Sequence, residues 1–115
     1  MPKADSLPEG RIDRIVVQLT QGNLRYSHIY LGKHPGFFPR DAIGAGNARD
    51  GEGALLTLHF AGLPERVETD LDGKKMIFRC RGPVGRFFAH HHLGAGDSIV
   101  IERLSAYEYR ILPAR

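Results

Sequence analysis

Apolar runs in this chain never last more than a few residues, and Gly, Pro, Asn or Asp stands in nearly every gap between them. The runs alternate apolar with polar residues and are rich in β-branched side chains, the period-2 signature of strands buried on one face. Strands are expected near Arg11 to Leu19, Leu24 to Leu31, Ala54 to Phe60, Arg66 to Leu71, Lys74 to Cys80, Ser98 to Leu104 and Tyr107 to Leu112. Asp72-Gly73 is the dipeptide that suits a type I′ turn, so the strand ending at Leu71 is expected to pair with the one starting at Lys74. Gln21-Gly22-Asn23 is read as the link between the first two strands.

Two stretches break the β pattern, each opening with proline, which favours a first helical turn. Pro39 to Ile43 has room for about one turn. Pro83 to His92 groups Phe87, Phe88 and His91 on one side, and Gly94 is expected to stop the helix. Seven short strands with two short helices point to a mainly β fold, a closed or half-open barrel, rather than to a βαβ sheet. Length sets one domain as the expectation, residues 11–115, preceded by a loose tail over residues 1–10 with its Pro2, Pro8 and Gly10.

The chain's 42% hydrophobic and 25% charged residues are those of a soluble globular domain. Runs such as Ile15-Val16-Val17 and Ile99-Val100-Ile101 fall far short of the roughly 20 residues that span a bilayer, so no membrane partner is expected. The N-terminus leads into no signal-like apolar stretch, and one cysteine, Cys80, cannot form an internal disulfide; a reducing cytoplasm fits both. Cys80 alternates with Met76 and Phe78 and reads as a small core residue.

Net charge is only +3, but it is segregated. From Arg14 to Arg40 the chain carries Arg14, Arg25, Lys33 and Arg40 with no acid; from Gly73 to Gly96 it carries Lys74, Lys75, Arg79, Arg81 and Arg86, again with none. Between them, Asp41 to Asp72 sets seven acids against Arg49 and Arg66. Such a distribution builds one positive face on a nearly neutral body, the footprint of a polyanion binder.

Catalytic groupings are absent from the sequence pattern. Consecutive helical residues point about 100° apart, so His90, His91 and His92 cannot converge on one tetrahedral ion, and no cysteine pair exists to complete a zinc site. The serines lie in no Gly-x-Ser-x-Gly elbow. Gly44-Ala45-Gly46 and Gly94-Ala95-Gly96 lack the Gly-Lys-Ser/Thr ending of a phosphate loop. Glu65, Glu68, Asp70 and Asp72 before Lys74 and Lys75 are better explained by a hairpin than by a nuclease centre. Neither enzyme activity nor a cofactor or metal is expected.

The segment Arg81 to Glu102, with Phe87 and Phe88 on a short helix followed by Leu93, Gly96, Asp97, Ile99 and Ile101, resembles the closing motif of the DNA-binding pseudobarrel superfamily. That superfamily holds the plant "B-three" transcription-factor domains and the recognition or effector domains of some bacterial restriction endonucleases. Phe37-Phe38-Pro39-Arg40-Asp41-Ala42-Ile43 is similar to the family's first short helix. The chain lacks the Trp of plant members and has an unusual glycine-rich acidic segment, Gly44 to Gly53, which favours a bacterial, restriction-associated relative.

The resemblance implies a seven-stranded open pseudobarrel with two short helices, whose two arms clasp the major groove of double-stranded DNA. A nuclease domain or subunit is a possible further partner, and oligomeric state is left open. The acid-free windows coincide with those arms. In the first, Arg25, Tyr26, Ser27, His28, Tyr30, Lys33 and His34 form a donor-rich run; Ile29 and Leu31 are assigned to the core, and Tyr26, His28 and Tyr30 to the outside. In the second, Arg79 and Arg81 are the leading candidates for base contact, with Lys75 on the same strand face. Lys33, Lys74, Arg86 and His90 are candidates for phosphate contact. The competing readings are a protein-interaction or assembly module and an RNA-binding barrel, the latter disfavoured because only Tyr26 and Tyr30 could stack on bases.

Overall fold

The structure, a computed structural model, describes residues 13–114. The expected tail over residues 1–10, and Arg11 and Ile12 of the expected first strand, lie outside the described residues. The fold is mainly β. Five strands form one sheet in the order β1-β7-β8-β3-β4: β1 is Arg14–Gln18, β3 Leu56–Phe60, β4 Val67–Thr69, β7 Ser98–Ser105 and β8 Glu108–Pro113. A second sheet has the order β2-β5-β6, with β2 at Ile43–Gly44, β5 at Leu71–Asp72 and β6 at Ile77–Phe78. The β3–β8 and β2–β5 pairs are parallel and the rest antiparallel. Among the described residues, eight strands in two mixed sheets thus take the place of the seven expected, and closure into one barrel is not found.

Alternation along the large sheet does what a period-2 pattern requires. Ile15 and Val17 of β1, Leu56, Leu58 and Phe60 of β3, Ile99 and Ile101 of β7, and Tyr109 and Ile111 of β8 all point into one core. On the opposite face Glu102 of β7 accepts from Arg110 of β8 at 2.6 Å and His59 of β3 meets Glu108 of β8 at 2.6 Å, beside a row of Val16, Val100 and Leu112. Leu71 and Phe78 bring the small sheet onto the same core. There Phe37, Phe38, Phe78 and Tyr109 pack with ring centroids 5.0–5.8 Å apart, the spacing at which aromatic edges and faces attract.

The largest departure from the sequence reading falls on Leu24 to Leu31. Gln21–Tyr26 is a helix, α1, not a link into a second strand. Thr20 and Asn23 close a capping box: the Asn23 N–H donates to Thr20 Oγ1 at 3.1 Å, and the Thr20 N–H donates to Asn23 Oδ1 at 2.9 Å. Ser27 then takes a left-handed conformation (φ 57°) that ends the helix. Beyond it the chain is extended, with Ile29 and Leu31 fully buried, but only Tyr30 makes a β-bridge, to Ile77.

The Asp72-Gly73 hairpin is present with a longer turn than expected. Leu71 pairs with Phe78 and Asp72 with Ile77, leaving residues 73–76 as the loop. Asp72 Oδ1 accepts from the N–H groups of Lys74 and Lys75, and the left-handed residue is Met76 (φ 55°). An aspartate that caps its own loop removes the need for two consecutive positive φ angles. The expected strand Lys74 to Cys80 therefore shrinks to Ile77–Phe78.

Pro39 to Ile43 becomes a single 3₁₀ turn at Arg40–Ala42. The second helix, α2, spans Gly82–His90 and buries Val84, Phe87 and Phe88 at i, i+3 and i+4. It ends at His90, four residues before Gly94, because His92 adopts φ 53°. The N–H of Leu93 donates to Phe88 O at 3.0 Å and that of His92 to Ala89 O at 3.2 Å, the paired bonds of a Schellman stop. Among the described residues, no helix is long and apolar enough to cross a membrane.

Candidate nucleic-acid interface

The two acid-free windows, separated in sequence by the acidic segment 41–72, meet along one seam. Tyr30 bridges to Ile77, the Leu31 N–H donates to Met76 O at 2.8 Å, and Arg81 Nε donates to Tyr26 O at 3.1 Å. The last contact ties the residue before α2 to the last residue of α1, where a helix end presents unsatisfied carbonyls to a cation. Gly85 permits the approach: a Cβ there would lie 2.8 Å from Ser27 Oγ.

Tyr26 and Tyr30 are exposed, with Arg25 on the solvent side of α1. Half-buried His28 has its ring centroid 6.0 Å from that of Tyr26. Its basicity is reduced by partial burial and by the positive charges of Arg81 and Lys75, against which Asp72 acts in the opposite sense. Lys74 and Lys75 project from the β5–β6 loop and are exposed, as is Arg81. Lys33, His34 and Tyr30 line a cleft of about 430 Å³ together with Val16, Gln18 and Asn23.

Two of the residues singled out in the sequence, Arg79 and His90, stand apart from the seam's open cations. Arg79 is turned inward: Nε donates to Asp70 Oδ1 at 2.7 Å, and Nη2 to Asp70 Oδ2 at 2.9 Å and to Ala45 O at 2.8 Å. Burial alone would raise the Asp70 carboxyl, but bonds from Arg79 and the Gly53 N–H, with the Arg79 charge, hold it below the usual carboxylate range. Arg79 is correspondingly raised, first by its bond to Asp70. Around this pair folds the Gly44 to Gly53 segment: a Cβ on Gly44 would come within 2.5 Å of Asp70 Oδ2 and 2.6 Å of the Gly53 nitrogen. His90 ends α2 at the far side from Arg81, its ring 4.8 Å from that of His91 and packed over Gly62. Arg86 is exposed on α2, one turn after Arg81 and Gly82.

Among the described residues the ion pairs are His59–Glu108, Arg79–Asp70 and Arg110–Glu102. Of the two cationic windows, then, only Arg79 is neutralised by a carboxylate. Arg25, Lys33, Lys74, Lys75, Arg81 and Arg86 are not. No group of three or more His, Cys, Asp or Glu side chains among the described residues is placed to hold a metal ion.

Sequence reasoning missed the Asp70 brace and the Asp72 loop cap. Thr20-x-x-Asn23 was a legible capping signal, hidden because Asn stands where Glu or Gln is usual. No protein-family model matches this chain, and no curated protein matches it either.

Proposed function

We propose that this chain is a non-catalytic module that binds double-stranded DNA along the α1/β5–β6 seam. In this reading the protein is an open pseudobarrel of the recognition or effector type, working with restriction or regulatory machinery and with a nuclease domain or subunit as partner. Two sheets around one core, with one arm contributed by α1 and the extended segment after it and the other by the β5–β6 loop, are compatible with that architecture.

One observation supports the function above the others: the seam gathers cations from two distant segments and, among the described residues, leaves them without carboxylate partners. Exposed arginines and lysines without local counter-charges are what phosphate contact uses, and displaced counterions then supply affinity. Lys75, Arg81, Lys74, Arg25 and Arg86 are assigned to the DNA backbone and groove edges, with Tyr26, Ser27, His28 and Tyr30 between them. Lys33 and His34 flank this surface. Arg79 is assigned to bracing the second arm, and His90 to its periphery.

Fluorescence anisotropy on a labelled duplex of mixed sequence at about 50 and 200 mM salt tests this. Binding that weakens steeply with salt, and is competed by duplex more strongly than by single strands, is expected. Salt-independent binding, or preference for single strands, contradicts it.

A further inference from the structure

His28 lies in the seam between two of the contacts that join the arms, Arg81 to Tyr26 on one side and Tyr30 to Ile77 on the other. Its segment is fixed on one side by its own N–H, which donates to Asn23 O at 2.9 Å, and on the other by the Tyr30–Ile77 bridge. The charged and titratable groups that face it come from every element packed around it: Tyr26 of α1, Lys75 and Asp72 of the β5–β6 loop, and Arg81 before α2. The single acid among them, Asp72, is buried, and its Oδ1 accepts from the Lys74 and Lys75 N–H groups. An imidazole in this position lies beside two cations with little compensating charge.

We propose that His28, Lys75 and Arg81 form a phosphate seat at the meeting point of the arms, and that docking of a DNA backbone phosphate there is accompanied by uptake of one proton from solvent onto the His28 imidazole. The seat rests on the duplex-binding reading and adds a regulator to it: pH. A phosphate brings negative charge next to the ring and offsets the field that the two cations impose, so the protonated, doubly donating imidazole is favoured more in the complex than in the free protein. Partial burial, and then the charges of Arg81 and Lys75, make His28 harder to protonate in the free protein than an ordinary imidazole. His34 and His90 lack this arrangement: His34 lines the neighbouring cleft, and His90 packs over Gly62.

The test is duplex affinity of the full chain by anisotropy between about pH 7.5 and pH 6 for wild type, His28→Gln, His34→Gln and His90→Gln, with circular dichroism to establish folding. Wild type, His34→Gln and His90→Gln are expected to tighten about 5- to 10-fold as pH falls, and His28→Gln to change less than about 2-fold. A direct readout needs no variant: NMR titration of the His28 ring is expected to show protonation at higher pH in the complex than in the free protein. Duplex binding with a pH profile unchanged by His28→Gln, or a His28 titration unmoved by DNA, overturns the seat alone. No duplex binding at any pH at low salt overturns the underlying DNA reading as well.

Discussion

Arg79 and Asp70 form a two-point ion pair across the small sheet, Nε to Oδ1 at 2.7 Å and Nη2 to Oδ2 at 2.9 Å, with the carboxylate almost wholly buried. The pair sits where the second arm joins the glycine-rich segment, which it also holds through Ala45 O and the Gly53 N–H. Removing the cation leaves a buried carboxylate unpaired. Arg79→Ala is therefore expected to cost about 3 kcal/mol, a fall in melting temperature on the order of 10 °C, with Arg79→Lys losing less. Arg81→Ala, whose side chain is exposed, is expected to lose far less stability; thermal denaturation of the three variants measures the difference.

Acid should reveal the same pair. The Asp70 pKa is lowered on folding, so its stabilising contribution is complete above the unfolded value of about 4 and disappears as pH falls through the lower, folded one. The stability gap between wild type and Asp70→Asn is expected to be constant from about pH 7 to 5 and to narrow below about pH 4. Urea unfolding at stepped pH reads that gap, and a gap that widens in acid would contradict the pairing.

His92 ends α2 in a left-handed conformation that L residues adopt at a cost, on an exposed position. His92→Gly keeps the Schellman bonds of Leu93 and His92 while relieving that cost, and is expected to stabilise the fold by about 0.5–1 kcal/mol. A measured loss of stability would mean that the imidazole makes a contribution larger than the backbone strain.

Cys80 packs against the core, and burial pushes its thiol up to about 11, partly offset by the Thr69 hydroxyl, which accepts from the Cys80 N–H. At pH 8 little thiolate is present, so the native protein is expected to react with a disulfide reagent far more slowly than the urea-unfolded chain. Comparable rates in the two states would show that the thiol is accessible.

Legibility in the sequence followed the range of the interactions involved. Period-2 alternation placed β1, β3, β7 and β8, because in a sheet with one buried face the pattern is the structure. The Gly94 to Asp97 turn was also readable: Asp97 Oδ2 accepts from the Gly94 N–H at 2.7 Å, and Gly96 (φ 93°) lets its N–H reach Leu19 O. Residues 21–31 misled because Leu24, Tyr26, His28 and Tyr30 alternate as a strand would, while the Thr20–Asn23 capping box starts a helix locally. Arg79 could not be told from Arg81 by composition or spacing; which of them turns inward depends on Asp70, nine residues away along the chain and paired only once the sheet has formed.

DNA recognition by the open cations of the seam is put to the test by selection from a randomised duplex pool, comparing wild type with Lys75→Ala/Arg81→Ala. Wild type is expected to enrich a defined site, and the double variant, still folded, to lose that enrichment and to show a log–log salt dependence shallower by about 2. Equal enrichment by both proteins, or none by wild type even at low salt, would contradict it.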